Sequence, residues 1–469
     1  MSSPLIARRW RRAPSIRLAA AATLLTCAAS ACAQAPLSQV RPSLLPPQVA
    51  LSPAQALPSP SQAPLSPAQA SPSQLPASLS LAEAQRLAVA RSRQVAAQDA
   101  ALTASREMAV AAGQLPDPVL KLGIDNLPVN GADRCSLSAD FMTMRRVGIS
   151  QELTRADKRA LRGDRYRLQA DKDQAEKDRV IAAIERDTAI AWLDRYYADA
   201  ANAAIAAQRA QAANELQAVE AAYRGGRASQ ADVLAAKSSV AQLDDRIDDA
   251  ARRARSAQIA LARWVGDAAT LPQAGTPATL DEVHLNPATL DSTLAHHPDL
   301  AASAKQVDIA ATDARLAEAA RHADWSVEVG FQQRGPAYTN MVTFGVSVPL
   351  QWDQKNRQDR ELSARLAEAD QARAEYDELL RAHQAEIRAM LIEWQANRNR
   401  LSRYARDLIP LAGERSAALL ASYRGGKATL QEVLAGRRAE LDTRLSSLQL
   451  EADTARLWAQ LKFFSKDVP

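Results

Sequence analysis

Apolar residues recur along this chain in two rhythms, and each rhythm occurs twice in the same order. From Ser80 to about Ala112 the text is Ala-rich and helical, with Ser80 and Glu83 as a capping box at its start. Gly113, Pro116 and Pro118 end it. Strict alternation follows over residues 119–124 and 142–151, which predicts two β-strands. From Thr154 to Tyr223 there is no Pro and a single Gly, Gly163. At a rise of 1.5 Å per residue this predicts roughly 100 Å of helix. The Gly225-Gly226 pair then breaks it, and Ser229 offers an N-cap to a return helix that runs to Val265. On that arm Val240, Leu243, Ile247, Ala250, Ala254, Ala257 and Leu261 step as heptads do.

The second half repeats the plan. Residues 325–332 and 341–348 alternate, and Leu441, Leu445, Leu448, Ala452, Ala455 and Ala459 form a second heptad arm. The segment Tyr223-Arg-Gly-Gly-Arg-Ala-Ser-Gln-Ala-Asp-Val-Leu-Ala235 returns as Tyr423-Arg-Gly-Gly-Lys-Ala-Thr-Leu-Gln-Glu-Val-Leu-Ala435. Gly148-Ile-Ser-Gln-Glu-Leu153 answers Gly345-Val-Ser-Val-Pro-Leu350. Chance matches do not keep their order, so the chain is an internal duplication, with repeats at 80–270 and 285–465 and a linker at 271–284. Pro410 and Gly413 are expected to kink or interrupt the second descending helix.

Residues 1–33 read as an export signal: an Arg-rich start, an apolar run from Leu18, and small residues at its end. Two readings of that end stand. One is cleavage after Ala31 or Ala33, with Cys32 incidental; the other is a lipobox, Ala29-Ser30-Ala31-Cys32, with Cys32 acylated. Residues 34–79 are rich in Pro, Ser, Gln and Ala, hold 11 of the 24 prolines, and read as a disordered tether. No later window approaches the 18 or so apolar residues of a membrane-spanning helix.

Composition narrows the class. Of 469 residues 47% are apolar but only 4% aromatic, and Gly numbers 16, which suits long helices and not a β-sandwich or a dinucleotide-binding enzyme. The net charge of +5 comes from the five arginines of the leader; the remaining 53 basic side chains match 53 acidic ones, so nucleic acid is not an expected partner. Three cysteines, two of them in the leader, exclude a disulfide scaffold and a Cys-rich zinc site. No phosphate-binding Gly loop, metalloprotease helix or catalytic Cys is evident, so no enzyme and no cofactor is expected.

Four strands cannot close a barrel, and open edges are not tolerated in lipid. Three copies would supply twelve strands, an even number suited to an outer-membrane barrel. Phe141, Trp325, Phe331, Tyr338, Phe344 and Trp352 gather around the strands, as interfacial girdles would. At this point the chain resembles the TolC family of outer-membrane efflux ducts, over nearly all of 80–465 and most specifically in the twice-present Tyr-x-x-Gly-x-x-[Ser/Thr]-x-x-[Asp/Glu]-Val-Leu. The resemblance implies a mainly α fold with a small β part: a homotrimer with a 12-strand β-barrel in the outer membrane and a 12-helix α-barrel extending into the periplasm. It also implies a periplasmic adaptor and an inner-membrane pump of the resistance-nodulation-division type as partners. The run Phe141-Met-Thr-Met-Arg-Arg-Val-Gly-Ile-Ser-Gln-Glu-Leu153 is similar to the heavy-metal branch of that family.

The resemblance assigns the hairpin tips, Tyr223, Gly225, Gly226 and Ser229 with Tyr423, Gly425, Gly426 and Thr429, to the periplasmic mouth and the adaptor contact. Read locally, the same glycines serve only the turn, by adopting φ > 0. Glu432, and Asp232 as its counterpart, fall where the family has a constriction ring of acids; Ala435 and Ala428 stand where it often has a second acid and a locking Arg. Three convergent carboxylates would attract cations, whereas Glu451 lies 19 residues further along the return helix, where screening should isolate it. The five histidines look too scattered for a metal site: His296-His297 is a poor chelate on a helix, and Asp299 nearby makes no catalytic triad. Met142 and Met144 would share a strand face. A duct for drugs or for a secreted protein fits the same text, and a periplasmic adaptor is the alternative from another class, although adaptors have one hairpin and many more strands.

Overall fold

The computed structural model describes residues 78–275, 277 and 297–464. The leader with Cys32, nearly all of the tether, His284, His296 and most of the inter-repeat segment lie outside the described residues. The element order is α1 (Leu81–Arg91), α2 (Arg93–Ala112), β1 (Val119–Asp125), β2 (Met144–Leu153), α3 (Ala156–Arg224) and α4 (Gln230–Val265) in the first half. The second has α5 (Pro298–Ala319), β3 (Trp325–Gln333), β4 (Met341–Ser347), α6 (Gln358–Arg403), α7 (Ile409–Arg424) and α8 (Leu430–Phe464). The strands form one antiparallel sheet in the order β1-β2-β3-β4. Two compact units result, a sheet unit (120–149 with 328–344) and a helical unit that holds the rest of the described chain.

Several expectations are corrected. The opening helix is two helices, because Ser92 ends α1 with extended backbone and caps α2 by accepting from the Val95 N–H at 3.3 Å. The capping box at Ser80 is half made: Ser80 Oγ accepts from the Glu83 N–H at 3.2 Å, but the Glu83 carboxylate turns to Arg86. Leu79, assigned to the tether, belongs to the fold. It is fully buried, its N–H donates to Pro272 O at 2.9 Å, and its carbonyl accepts from Trp192 Nε1 at 3.1 Å. The interruption expected near Pro410 is present, since α6 and α7 are separate elements that meet just before it. A π-turn, Tyr404–Leu408, precedes it, with the Ile409 N–H bonded to Tyr404 O. Widening the ladder by one residue there accommodates a proline that lacks an N–H and crowds the preceding turn.

The helical unit is held together along the predicted heptad seams. Leu243 and Ala250 of α4, flanked by Val240 and Ile247, pack with Ile205 and Ala212 of α3 and Leu441 and Leu445 of α8. The two repeats therefore share one core instead of closing two. Further along, Trp192, Leu193, Leu261, Val265, Ala455, Trp458 and Ala459 form a second cluster, whose alanines let the helices approach closely. Among the described residues no helix is long and apolar enough to cross a membrane.

Candidate functional site

Alternation gives each strand two faces of opposite character. Leu120, Leu122 and Ile124 of β1, Val147 and Ile149 of β2, Val329 and Phe331 of β3, and Val342, Phe344 and Val346 of β4 are all exposed, Leu122 at 70% and Phe344 at 79%. The opposite positions carry charge. Lys121 Nζ lies 2.5 Å from Glu328 Oε2, while Arg146 lies 3.3 Å from Asp125 Oδ2 and 4.0 Å from Glu328 Oε1. Each strand also places one glycine in that polar series, Gly123, Gly148, Gly330 and Gly345. At Gly148 the need is steric, since a Cβ would stand 3.1 Å from Val329 O and 3.3 Å from Gly330 Cα. A sheet in water turns its charges outward; this one is inverted. Among the described residues its apolar face has no cover, and β1 and β4 are open edges. The six aromatics expected around the strands are all exposed too. The pairing expected of Met142 and Met144 fails: β2 begins at Met144, and Met142 lies in the preceding bend, its N–H held by Asp140 Oδ2 at 2.9 Å.

The hairpin tips match bond for bond. In the first, the Gly226 N–H donates to Tyr223 O at 2.9 Å and the Arg227 N–H to Ala222 O at 2.8 Å; in the second, Gly426 donates to Tyr423 O at 3.0 Å and Lys427 to Ser422 O at 2.8 Å. This is the Schellman arrangement, which needs one left-handed residue. Only the second glycine of each pair supplies it, Gly226 and Gly426 both at φ +72°, while Gly225 and Gly425 have negative φ. The expectation of φ > 0 at all four is thereby corrected. A Cβ at Gly226 or Gly426 would meet nothing within 4 Å, so a side chain there meets strain and not a clash. Gly426→Val is expected to cost about 1–3 kcal/mol in backbone strain while Gly426→Asn costs much less. Chemical denaturation of the two variants checks this.

The tips are not equivalent in packing. Tyr423 joins a small core with Val219, Ala236 and Leu430 that ties the two hairpins together, whereas Tyr223 is exposed. Arg224, Arg227, Arg424 and Lys427 are exposed beside the glycines, so the tips present four cations. Below them Arg437 of α8 reaches Glu215 of α3 at 3.1 Å and Glu440 at 3.4 Å, both partners largely buried.

Both acids of the expected constriction are engaged in capping boxes, a role that sequence reading had not assigned them. Asp232 Oδ2 accepts from the Ser229 Oγ at 2.7 Å and the Ser229 N–H at 2.9 Å. Glu432 Oε2 accepts from the Thr429 N–H at 2.7 Å and Thr429 Oγ1 at 3.0 Å. The Ser229 hydroxyl and backbone hold Asp232 below the ordinary carboxylate range, and the Thr429 backbone and hydroxyl do the same for Glu432. Both are therefore ionised and fixed in direction at neutral pH. Glu451 is different. It is partly buried, accepts from Ser447 Oγ at 3.2 Å, and burial pushes its carboxyl up, so its surroundings do not match those of Glu432.

The histidines are not all scattered. His297, the N-cap of α5, and His383 of α6 stack edge to face with ring centres 5.3 Å apart, and Asp299 lies beside both. Burial pushes His297 down, toward its neutral form. Sequence reading missed this grouping because it spans two helices; the local hint was His297 two residues before Asp299, while His383 comes from 84 residues further on.

No family model matches the sequence, and no curated protein matches it either. Solved structures do. CusC, whose crystal structures concern conformational changes accompanying folding and transmembrane channel formation, superimposes with a TM-score of 0.72 at 16% identity, over 82% of this chain and 91% of that one. The outer membrane protein VceC from Vibrio cholerae gives 0.68 at 18% identity, over 82% and 96%. The open state of the Neisseria gonorrhoeae MtrE outer membrane channel gives 0.65 at 16%, over 82% and 88%. The chain has the fold of these channels.

Proposed function

We propose that this chain is the outer-membrane exit duct of a tripartite efflux system, working with a periplasmic adaptor and an inner-membrane pump of the resistance-nodulation-division type. The observation that carries the reading is the inverted sheet. An exposed apolar face with charges behind it is stable when lipid covers the first and water wets the second. Three copies joined β4 to β1 give twelve strands and leave no open edge. The shared channel fold supports the same reading. In this arrangement the chain performs no covalent chemistry; it supplies a passage, and the pump supplies the work.

The tips, with Gly226 and Gly426 setting the turns and Tyr223 and the four exposed cations facing outward, form the adaptor contact. Glu432 and Asp232 line the mouth, where their fixed carboxylates favour cations. Heavy-metal cations are the cargo this reading favours, on the likeness of residues 141–153 to the heavy-metal branch. The expected result is a detergent-stable trimer in the outer-membrane fraction, and a strain lacking the chain should lose tolerance to cobalt, zinc or cadmium while keeping tolerance to dyes. A monomer that stays soluble without detergent and keeps its helix content would overturn the duct. Lost dye tolerance with unchanged metal tolerance would overturn the cargo alone.

A further inference from the structure

We infer that His297, Asp299 and His383 form a binding site for one borderline divalent cation of the zinc, cobalt or nickel class, clipping the start of α5 to the middle of α6. One ligand atom from each of the three lies within 4.8 Å of the other two. Asp299 Oδ2 stands 3.4 Å from His383 Nε2 and 3.7 Å from His297 Nδ1. Atoms bound tetrahedrally to one such ion, at bond lengths near 2.1 Å, are about 3.4 Å apart, so two of the three edges are already close to the required length. Two imidazoles with one carboxylate suit these cations better than calcium or magnesium, which prefer oxygen alone.

The surroundings hold the ligands in place. His297 is 8% exposed and His383 12%, and the adjoining Leu300 and Ile387 are fully buried in one apolar cluster. The N-cap bond from the Asp299 N–H to His297 Nδ1 is long, at 3.3 Å, and is the contact an entering ion would displace. Arg179 Nε lies 3.5 Å from the other carboxylate oxygen of Asp299, a cation that opposes the ion by charge. Binding at this place is measured on the isolated chain and does not depend on what the protein exports.

The test is titration of the tag-free full chain in detergent with Co²⁺, followed by its visible absorption. The expected result is one Co²⁺ per chain and a rise of several degrees in the thermal midpoint. His383→Ala and Asp299→Ala should each weaken binding by at least about tenfold, the loss that removing even an outer partner brings. Arg179→Gln leaves all three ligands in place and should strengthen binding severalfold, which keeps the test decisive if His383→Ala misfolds. No Co²⁺ binding, binding indifferent to His383 and Asp299, or weaker binding in Arg179→Gln would overturn the site.

Discussion

Lys158→Met should lower the unfolding free energy of the helical unit by about 3–5 kcal/mol, the cost of leaving one member of a buried ion pair alone. Lys158 Nζ donates to Asp324 Oδ2 at 2.8 Å and to His322 O at 2.6 Å, and the Arg155 N–H donates to Asp324 Oδ1 at 3.0 Å. The two side chains are only 6% and 18% exposed. This knot ties the start of α3 to the segment entering β3, so it joins the two repeats. Removing the ammonium leaves the Asp324 carboxylate with the Arg155 N–H and the nearby Arg162 charge, and takes the Lys158 bond away from His322 O. A Lys158→Met/Asp324→Leu double variant should recover much of the loss, because it removes both charges at once. Denaturation of the parent, the two single variants and the double variant measures the coupling. If Lys158→Met alone changes stability by less than about 1 kcal/mol, the pair behaves as an ordinary surface bridge.

Glu432→Gln should sharply reduce cation preference in single-channel recordings, whereas Asp453→Asn on the same helix should change it little. The choice of glutamine matters. Glu432 also closes the capping box with Thr429, and Gln at that position can still accept the Thr429 N–H, so the change removes charge without removing the cap. Asp453 lies 21 residues further along α8, about 32 Å away by helical rise, far beyond the Debye length of about 8 Å at physiological salt. Both substitutions alter net charge equally. Equal responses, or no response from Glu432→Gln, would mean that the cation path is set elsewhere. The pH dependence has a definite sign. The folded pKa values of Glu432 and Asp232 are depressed, so the stability their caps contribute is complete above the unfolded carboxylate values. It is lost as pH falls through the lower folded ones.

Most of what depends on neighbours along the chain was legible without coordinates, the capping roles of Asp232 and Glu432 excepted. The strand pairs, the long descending helices, the glycine tips with their caps, and the heptad seams of α4 and α8 all follow from periods of two or seven and from turn chemistry. These are local rules, and the duplication let each half check the other. Local text could not show that Ser92 divides the first helix, because a serine inside Ala-rich sequence reads equally well as an exposed helical residue. Pro410 and Gly413 marked an interruption in the second descending helix, but not its form, a π-turn lying ahead of the proline. The widest gap concerns side chains brought together from distant helices. Lys158 meets Asp324 across 166 residues and Asp299 meets His383 across 84. Such pairs are set by the rotation and axial register of one helix against another, which a few degrees or one turn would undo. Periodicity decides which face of a helix is buried, but only the packed structure decides which residues on two buried faces come opposite each other.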